Sequence, residues 1–205
     1  MSAAIAENPI LEIIRLEPLI FKSRMSKEQF NRFVLRHTDL RVERDKHGVI
    51  TIHPPMTFDS AYYEGLAFTK LSNWSISTRT GLAVSPSASF NLPDGSQYKA
   101  DGAWIPMGKI HNMSEGERRS IAEVVPDFVL EVLSETDNLS KTKKKMTEAW
   151  IANGVQLAWL IDPKKEKAWI YRADGSTQTM EHFDQSLSGE EVLPGFTFNL
   201  WELKG

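Results

Sequence analysis

Residues 126–163 read PDFVLEVLSETDNLSKTKKKMTEAWIANGVQLAWLIDP, and this stretch places a carboxylate inside an apolar strand that leads into a lysine-rich helix. Phe128, Val129, Leu130, Val132 and Leu133 form the nearly continuous apolar run of a strand covered on both faces. Glu131 interrupts it. By the two-residue period of a strand, Glu131 shares a face with Val129 and Leu133, so its carboxylate points into an apolar layer. An unpaired carboxylate there would cost several kcal/mol or take up a proton, so a cation, a metal or a hydrogen-bond donor is required.

The same anomaly recurs upstream in Tyr98-Lys99-Ala100-Asp101-Gly102-Ala103-Trp104-Ile105, where Asp101 shares a strand face with Ala103 and Ile105. If the two strands are neighbours, Asp101 and Glu131 converge and suit one hard divalent cation such as Mg2+ or Mn2+, which prefers oxygen ligands. The chain has no cysteine, and its five histidines are scattered without zinc-type spacing. Taken singly, a carboxylate in an apolar strand is more often salt-bridged than metal-bound. The pair followed by a basic helix points instead to metal-assisted phosphodiester chemistry.

After Glu131, the capping types Ser134, Glu135, Thr136 and Asp137 open a helix that stops at Asn153-Gly154. Met146, Ala149, Trp150 and Asn153 recur at helical spacing, with Thr142 one turn earlier, so Met146 and Trp150 are expected to face the sheet. Lys143 and Lys145 flank this stripe and can reach toward the sheet end, where an ammonium can neutralise phosphate or position an attacking water. Lys141 and Lys144 lie better for solvent or a phosphate backbone.

Four segments in order, LPDGSQYKADGAWIP (92–106), PDFVLEVLSETDN (126–138), NGVQLAWLIDP (153–163) with KAWIYR (167–172), and GEEVLPGFTFNLWEL (189–203), resemble the Uma-two family of restriction-endonuclease-like proteins. The resemblance covers Val49 to Leu203. It implies an α/β fold of the PD-(D/E)XK nuclease superfamily, with a central mixed sheet flanked by helices, here preceded by an N-terminal helix and hairpin. It also implies a metal-dependent DNA endonuclease, with Asp101 and Glu131 as the metal-binding carboxylates and Glu64 as an accessory acid on the preceding helix. Ala100 stands where the family usually carries proline. The superfamily lysine, two residues after the glutamate, is replaced by Leu133. Relatives use a helix lysine four residues before the aromatic that matches Trp150. That register lands on Met146, so Lys145 is the nearest candidate, displaced by one position, with Lys143 behind it. By the same analogy a two-cut enzyme is a homodimer.

The length of 205 residues suits one domain, expected over 23–205 after an N-terminal arm over 1–22. A net charge of −3 does not announce a nucleic-acid binder, but lysines concentrate at 141–145 and 164–167, so the local field matters more than the total. The lack of cysteine fits a reducing cytoplasm, and neither a bilayer-spanning run nor a signal-peptide pattern is present in the sequence. Ser26 and Gln29 form a capping box for a helix lined by Phe30, Phe33, Val34 and His37. Hairpins are expected over Leu40–Glu43 with Val49–His53, over 83–90 with 98–105 about the Pro93-Asp94-Gly95 turn, and over 157–162 with 168–171. A helix runs from Asp59 toward Ile76, and a long link over 106–125 holds a short helix near 114–122. Of the six tryptophans, Trp74, Trp104, Trp150, Trp159 and Trp169 fall in expected helices or strands and are expected to pack in the core. Two rival functions remain: an inactive nuclease-fold module for nucleic-acid binding or protein interaction, and a small-molecule metallohydrolase with a closed pocket.

Overall fold

The computed structural model describes residues 18–204. In chain order, β1 (Leu19–Lys22), α1 (Lys27–Arg36), β2 (Arg41–Arg44) and β3 (Val49–His53) lead into the long helix α2 (Phe58–Thr78). The strands β4 (Gly81–Val84), β5 (Phe90–Asn91), β6 (Gln97–Tyr98) and β7 (Gly102–Pro106) follow, then the short helices α3 (Met107–His111) and α4 (Glu115–Arg118). β8 (Phe128–Val132) precedes α5 (Leu139–Lys144), which runs on into a π-helical turn (Lys145–Trp150) and a 3-10 turn (Ile151–Asn153). The chain closes with β9 (Leu157–Asp162), β10 (Lys167–Arg172), β11 (Thr177–Met180), β12 (Ser186–Ser188), β13 (Thr197–Asn199) and a 3-10 turn (Leu200–Leu203).

The central sheet is mixed, in the order β11-β10-β9-β8-β7-β4. β8 and β9 run parallel, and the other neighbours run antiparallel. A parallel pair cannot be joined by a tight turn, and the α5 segment supplies the crossover. Both strands are buried at every position, as their apolar runs require. One face packs against α2 and the C-terminal hairpin through Leu71, Phe128, Leu130, Trp159, Phe196 and Phe198. The other packs against the α5 segment through Ala103, Val129, Leu160, Met146 and Trp150.

A second sheet, β1-β3-β2-β6-β5, carries α1 on the apolar side chains of Val42 and Ile50. The capping box forms as expected: the Ser26 hydroxyl accepts from the Gln29 N–H while the Gln29 side chain accepts from the Ser26 N–H. His37 caps the helix end in the open, its ring centroid 4.6 Å from that of Phe33. Of the expected arm, Leu19–Lys22 pairs with β3 as a strand, and residues 1–17 lie outside the described residues. Among the described residues no helix is long and apolar enough to cross a membrane.

The hairpin expected over 83–90 and 98–105 is corrected by the structure. Its two halves belong to different sheets: β4 pairs with β7 in the central sheet, while β5 pairs with β6 in the second. The breaks fall at residues 85–89 and 99–101, so the chain crosses between sheets immediately before Asp101. Alternation persists through both breaks, which is why periodicity alone reads them as one ribbon.

Trp104, Trp150, Trp159 and Trp169 are buried, whereas Trp201, on the C-terminal 3-10 turn, is exposed. The close seating of β4 on its neighbour depends on Gly81. A Cβ there would overlap the Ile105 carbonyl oxygen and come within 2.5 Å of the Trp104 ring. Gly81→Ala is therefore expected to lower stability by about 1–3 kcal/mol, the usual range for overpacking. Urea denaturation measures it, and an unchanged midpoint would show that this contact yields freely.

Candidate active site

Glu131 reaches the site from β8. The β7–β8 register pairs Gly102 with Leu130, so its continuation puts Asp101 opposite Glu131, at the point where the chain arrives from the second sheet. Both carboxylates are buried, Asp101 to 2 % exposure and Glu131 to 4 %. The Asp101 Oδ2 accepts the Val132 N–H at 2.7 Å, and its Oδ1 lies 2.8 Å from the Arg41 Nη2. The Glu131 Oε1 accepts the Trp150 indole N–H at 2.9 Å and lies 2.8 Å from the Lys145 Nζ. Asp101 and Glu131 are thus neighbours with different counter-ions.

The Lys145 ammonium has further oxygen partners. It donates to the Glu43 Oε1 at 2.8 Å and to the Lys99 carbonyl at 2.8 Å. Glu43 also accepts the Lys99 N–H at 3.3 Å and meets the His53 Nε2 at 3.1 Å. On the other side of Asp101, the α2 residue Glu64 has its Oε2 3.6 Å from the Arg41 Nη1. That Oε2 is buried and accepts no hydrogen bond among the described residues.

The electrostatics follow from this crowding. Burial pushes the Glu131 carboxyl up to about 7; Lys145 pulls it back, while Asp101 and Glu43 push it further up. Burial likewise drives Glu64 up to about 8, with the Asp101 carboxylate beside it adding to the rise and Arg41 offsetting only part. Glu43 goes the other way: burial opposes its charge, but Lys145, the His53 hydrogen bond and Arg41 hold it well below the usual carboxylate range. Burial also opposes the Lys145 ammonium, and Glu131 with Glu43 outweighs it, so its pKa stands above the ordinary lysine value. Burial and Arg41 lower Lys99.

A family model described as "Putative restriction endonuclease", Uma2, matches residues 27–201. The chain belongs to the Uma2 family. Among solved structures, one described as "a putative nuclease belonging to DUF820" from Anabaena variabilis superposes with a TM-score of 0.72. The match covers 87 % of this chain and 97 % of that one at 18 % sequence identity, so what the two share is the fold. A search of curated proteins finds no match.

The structure brings together Asp101, Glu131, Lys145 and Glu64, the four residues singled out from the Uma2 motifs. The displaced lysine has a physical explanation. The helix opens into a π turn over Lys145–Trp150, with the Ile151 N–H reaching back to the Met146 carbonyl. A π turn takes one more residue than an α turn. Lys145 and Trp150, five residues apart, therefore both reach the same oxygen of Glu131. Lys143, the fallback, lies elsewhere, its Nζ 4.0 Å from the Trp169 ring centroid. Lys144 lies on the outer side of the helix and is exposed.

Arg41, Glu43, His53 and the indole of Trp150 were not singled out by sequence reasoning. Alternation along β2 turns Val42 toward the α1 core and leaves Arg41 and Glu43 on the opposite face, which reads locally as a solvent face. Glu43 is covered by the α5 segment, 102 residues further along the chain at Lys145, and Arg41 by Asp101 and by Glu64 of α2. Trp150 was read as core packing, which it also provides.

Among the described residues no three His, Cys, Asp or Glu side chains are grouped closely enough to hold a metal ion by themselves. The donor chemistry nevertheless suits a hard divalent cation. Asp101, Glu131 and Glu64 offer carboxylate oxygens, the Glu64 Oε2 is buried without a hydrogen bond among the described residues, and magnesium commonly keeps several of its waters. Fully ionised, the four carboxylates Glu43, Glu64, Asp101 and Glu131 outnumber the cationic side chains Arg41, Lys99 and Lys145, and the raised Glu64 and Glu131 are the groups from which a divalent cation would displace a proton.

Two stability predictions follow from this charge balance. Glu64 is raised in the fold above its ordinary value of 4.5, so its contribution is fully present below about pH 4.5 and is lost as pH rises through about 8. In chelator, Glu64→Gln should therefore melt above wild type by a margin that grows between these pH values, about 2–4 °C for each kcal/mol recovered. A margin that does not change with pH would remove the crowding argument. Lys145→Met leaves Glu131 and Glu43 without their shared cation, and a loss of about 3–5 kcal/mol is expected by denaturant unfolding.

Proposed function

We propose that this Uma2 protein is a metal-dependent endonuclease that hydrolyses phosphodiester bonds of DNA. The observation that carries the reading is the placement of Asp101 and Glu131 side by side at the junction of two sheets, with Lys145 on Glu131. Family membership supports the nuclease chemistry, and the buried carboxylates support the metal.

In this reading Asp101 and Glu131 hold Mg2+ or Mn2+, with Glu64 joining through water. Bound there, a divalent cation polarises a phosphoryl oxygen and lowers the pKa of an attacking water. The chain's own groups do the rest. The Val132 N–H and the Trp150 indole each fix one carboxylate oxygen, so the donor set is oriented before the substrate arrives. Lys145 holds Glu131 in place and brings positive charge to the side of the site where negative charge develops. Glu43 and the Lys99 carbonyl fix that ammonium in turn. Cutting both strands asks for two such centres and hence for a homodimer.

One observation favours a second reading, an inactive module that binds nucleic acid or a protein: the Arg41 guanidinium already neutralises Asp101. Incubation of supercoiled plasmid with Mg2+ or Mn2+ separates the two. Nicking by wild type is expected, falling at least about a hundredfold in Asp101→Ala and Glu131→Ala. Plasmid left intact by a folded wild type would favour the inactive module.

A further inference from the structure

Two cavities approach the carboxylates from different sides. One, of about 670 Å³, is bordered by Glu43, Glu131 and Lys145. The other, of about 810 Å³, is bordered by Glu64 and Lys99, and Arg41 borders both. The lysines of the two cavities differ in one respect. Lys145 is enclosed by oxygens of Glu131, Glu43 and the Lys99 carbonyl. Lys99 is only 9 % exposed, yet its hydrogen bonds are all made by its backbone; its ammonium has no hydrogen bond or ion pair among the described residues.

The Lys99 stem is packed while its unpaired ammonium borders the larger cavity, and an anion there would complete it. A second unsatisfied donor points the same way. The Arg41 Nε is buried with no hydrogen-bond partner among the described residues, although its Nη2 is held by Asp101. Its Nη1 is loosely placed, 3.6 Å from the Glu64 Oε2 and 3.7 Å from the Met56 sulfur. Around these two cations the larger cavity is walled by Val84, Ile105, Ile110 and Met113. Its volume suits a nucleotide-sized group, with apolar walls for sugar and base and a few polar groups to fix orientation.

We propose that Lys99 and Arg41 form a binding site for one backbone phosphate of a nucleic-acid strand in the larger cavity, which Lys145 does not border. The inference rests on the nucleic-acid reading above and divides the labour of the two lysines. Lys145 orders the carboxylates, whereas Lys99 receives the strand. Glu64, on the same wall, faces the Arg41 Nη1, which leaves the Nε and the Lys99 ammonium for the phosphate.

The test is binding without cutting. A fluorescein-labelled single-stranded DNA of about 12 nucleotides is titrated in EDTA across a series of salt concentrations and read by fluorescence anisotropy. Lys99→Gln is expected to weaken binding about fivefold to tenfold and to reduce the slope of log K against log salt by about 0.7, the signature of one lost single-strand phosphate contact. Lys99→Arg should keep most of the slope, and Lys204→Gln, at an exposed position paired with Glu166, should not change it. Lys99→Met retains the apolar stem and serves if the glutamine variant melts early. An unchanged slope in both Lys99→Gln and Lys99→Met overturns the site, as does a wild type that does not bind the strand. The plasmid assay fails separately: intact plasmid with a lost salt slope removes the hydrolysis and keeps the phosphate site, and nicking with an unchanged slope does the reverse.

Discussion

The Lys145 ammonium ties together parts of the chain that share no local structure. Its contacts reach Glu131 on β8, Glu43 on β2 and the Lys99 carbonyl on the link between the two sheets. Removing these charges from water costs several kcal/mol each, and their mutual attraction repays it only with good geometry and satisfied hydrogen bonds. Such a network adds little net stability but tolerates few arrangements. It fixes how the β2 sheet, the central sheet and the α5 segment sit against one another, and so where Asp101 emerges.

The π turn belongs to this constraint. An α-helix from Leu139 onward would not let Lys145 and Trp150 meet the same carboxylate oxygen while Met146 and Ala149 stay buried. Widening one turn lets both requirements be met. π turns of this kind recur at functional sites because the local loss in helix geometry is offset by what the re-aimed side chains reach.

Around that scaffold the charges are divided between two sides. Lys145 and Glu43 lie beside Glu131, and the Lys145 ammonium is shared among Glu131, Glu43 and the Lys99 carbonyl. Arg41, Lys99 and Glu64 lie toward the larger cavity, where the Arg41 Nε and the Glu64 Oε2 are buried without hydrogen-bond partners among the described residues. A site carried on strands and a long helix can keep such unsatisfied groups in place, since the surrounding core limits their relaxation. These unsatisfied groups are the ones with most to gain from a cation or a phosphate.

Much of this was open to sequence reasoning. The buried strand with Glu131 at its centre, the partner strand after Asp101, the sheet-facing Met146 and Trp150 and the crossover helix all follow from periodicity, because local backbone geometry sets which side chains share a face. The sequence motifs also brought Glu64 and Lys145 forward. Tertiary structure alone decided the split of the 83–105 ribbon between two sheets, the π turn that restores the Lys145 register, and the enclosure of Glu43 and Lys99 with Arg41 partly buried beside them. The physical reason is common to all three. Whether a charged strand face meets water or another element, and which carboxylate a lysine reaches, depends on contacts between segments far apart in the chain, and periodicity reports only on neighbours a few residues away.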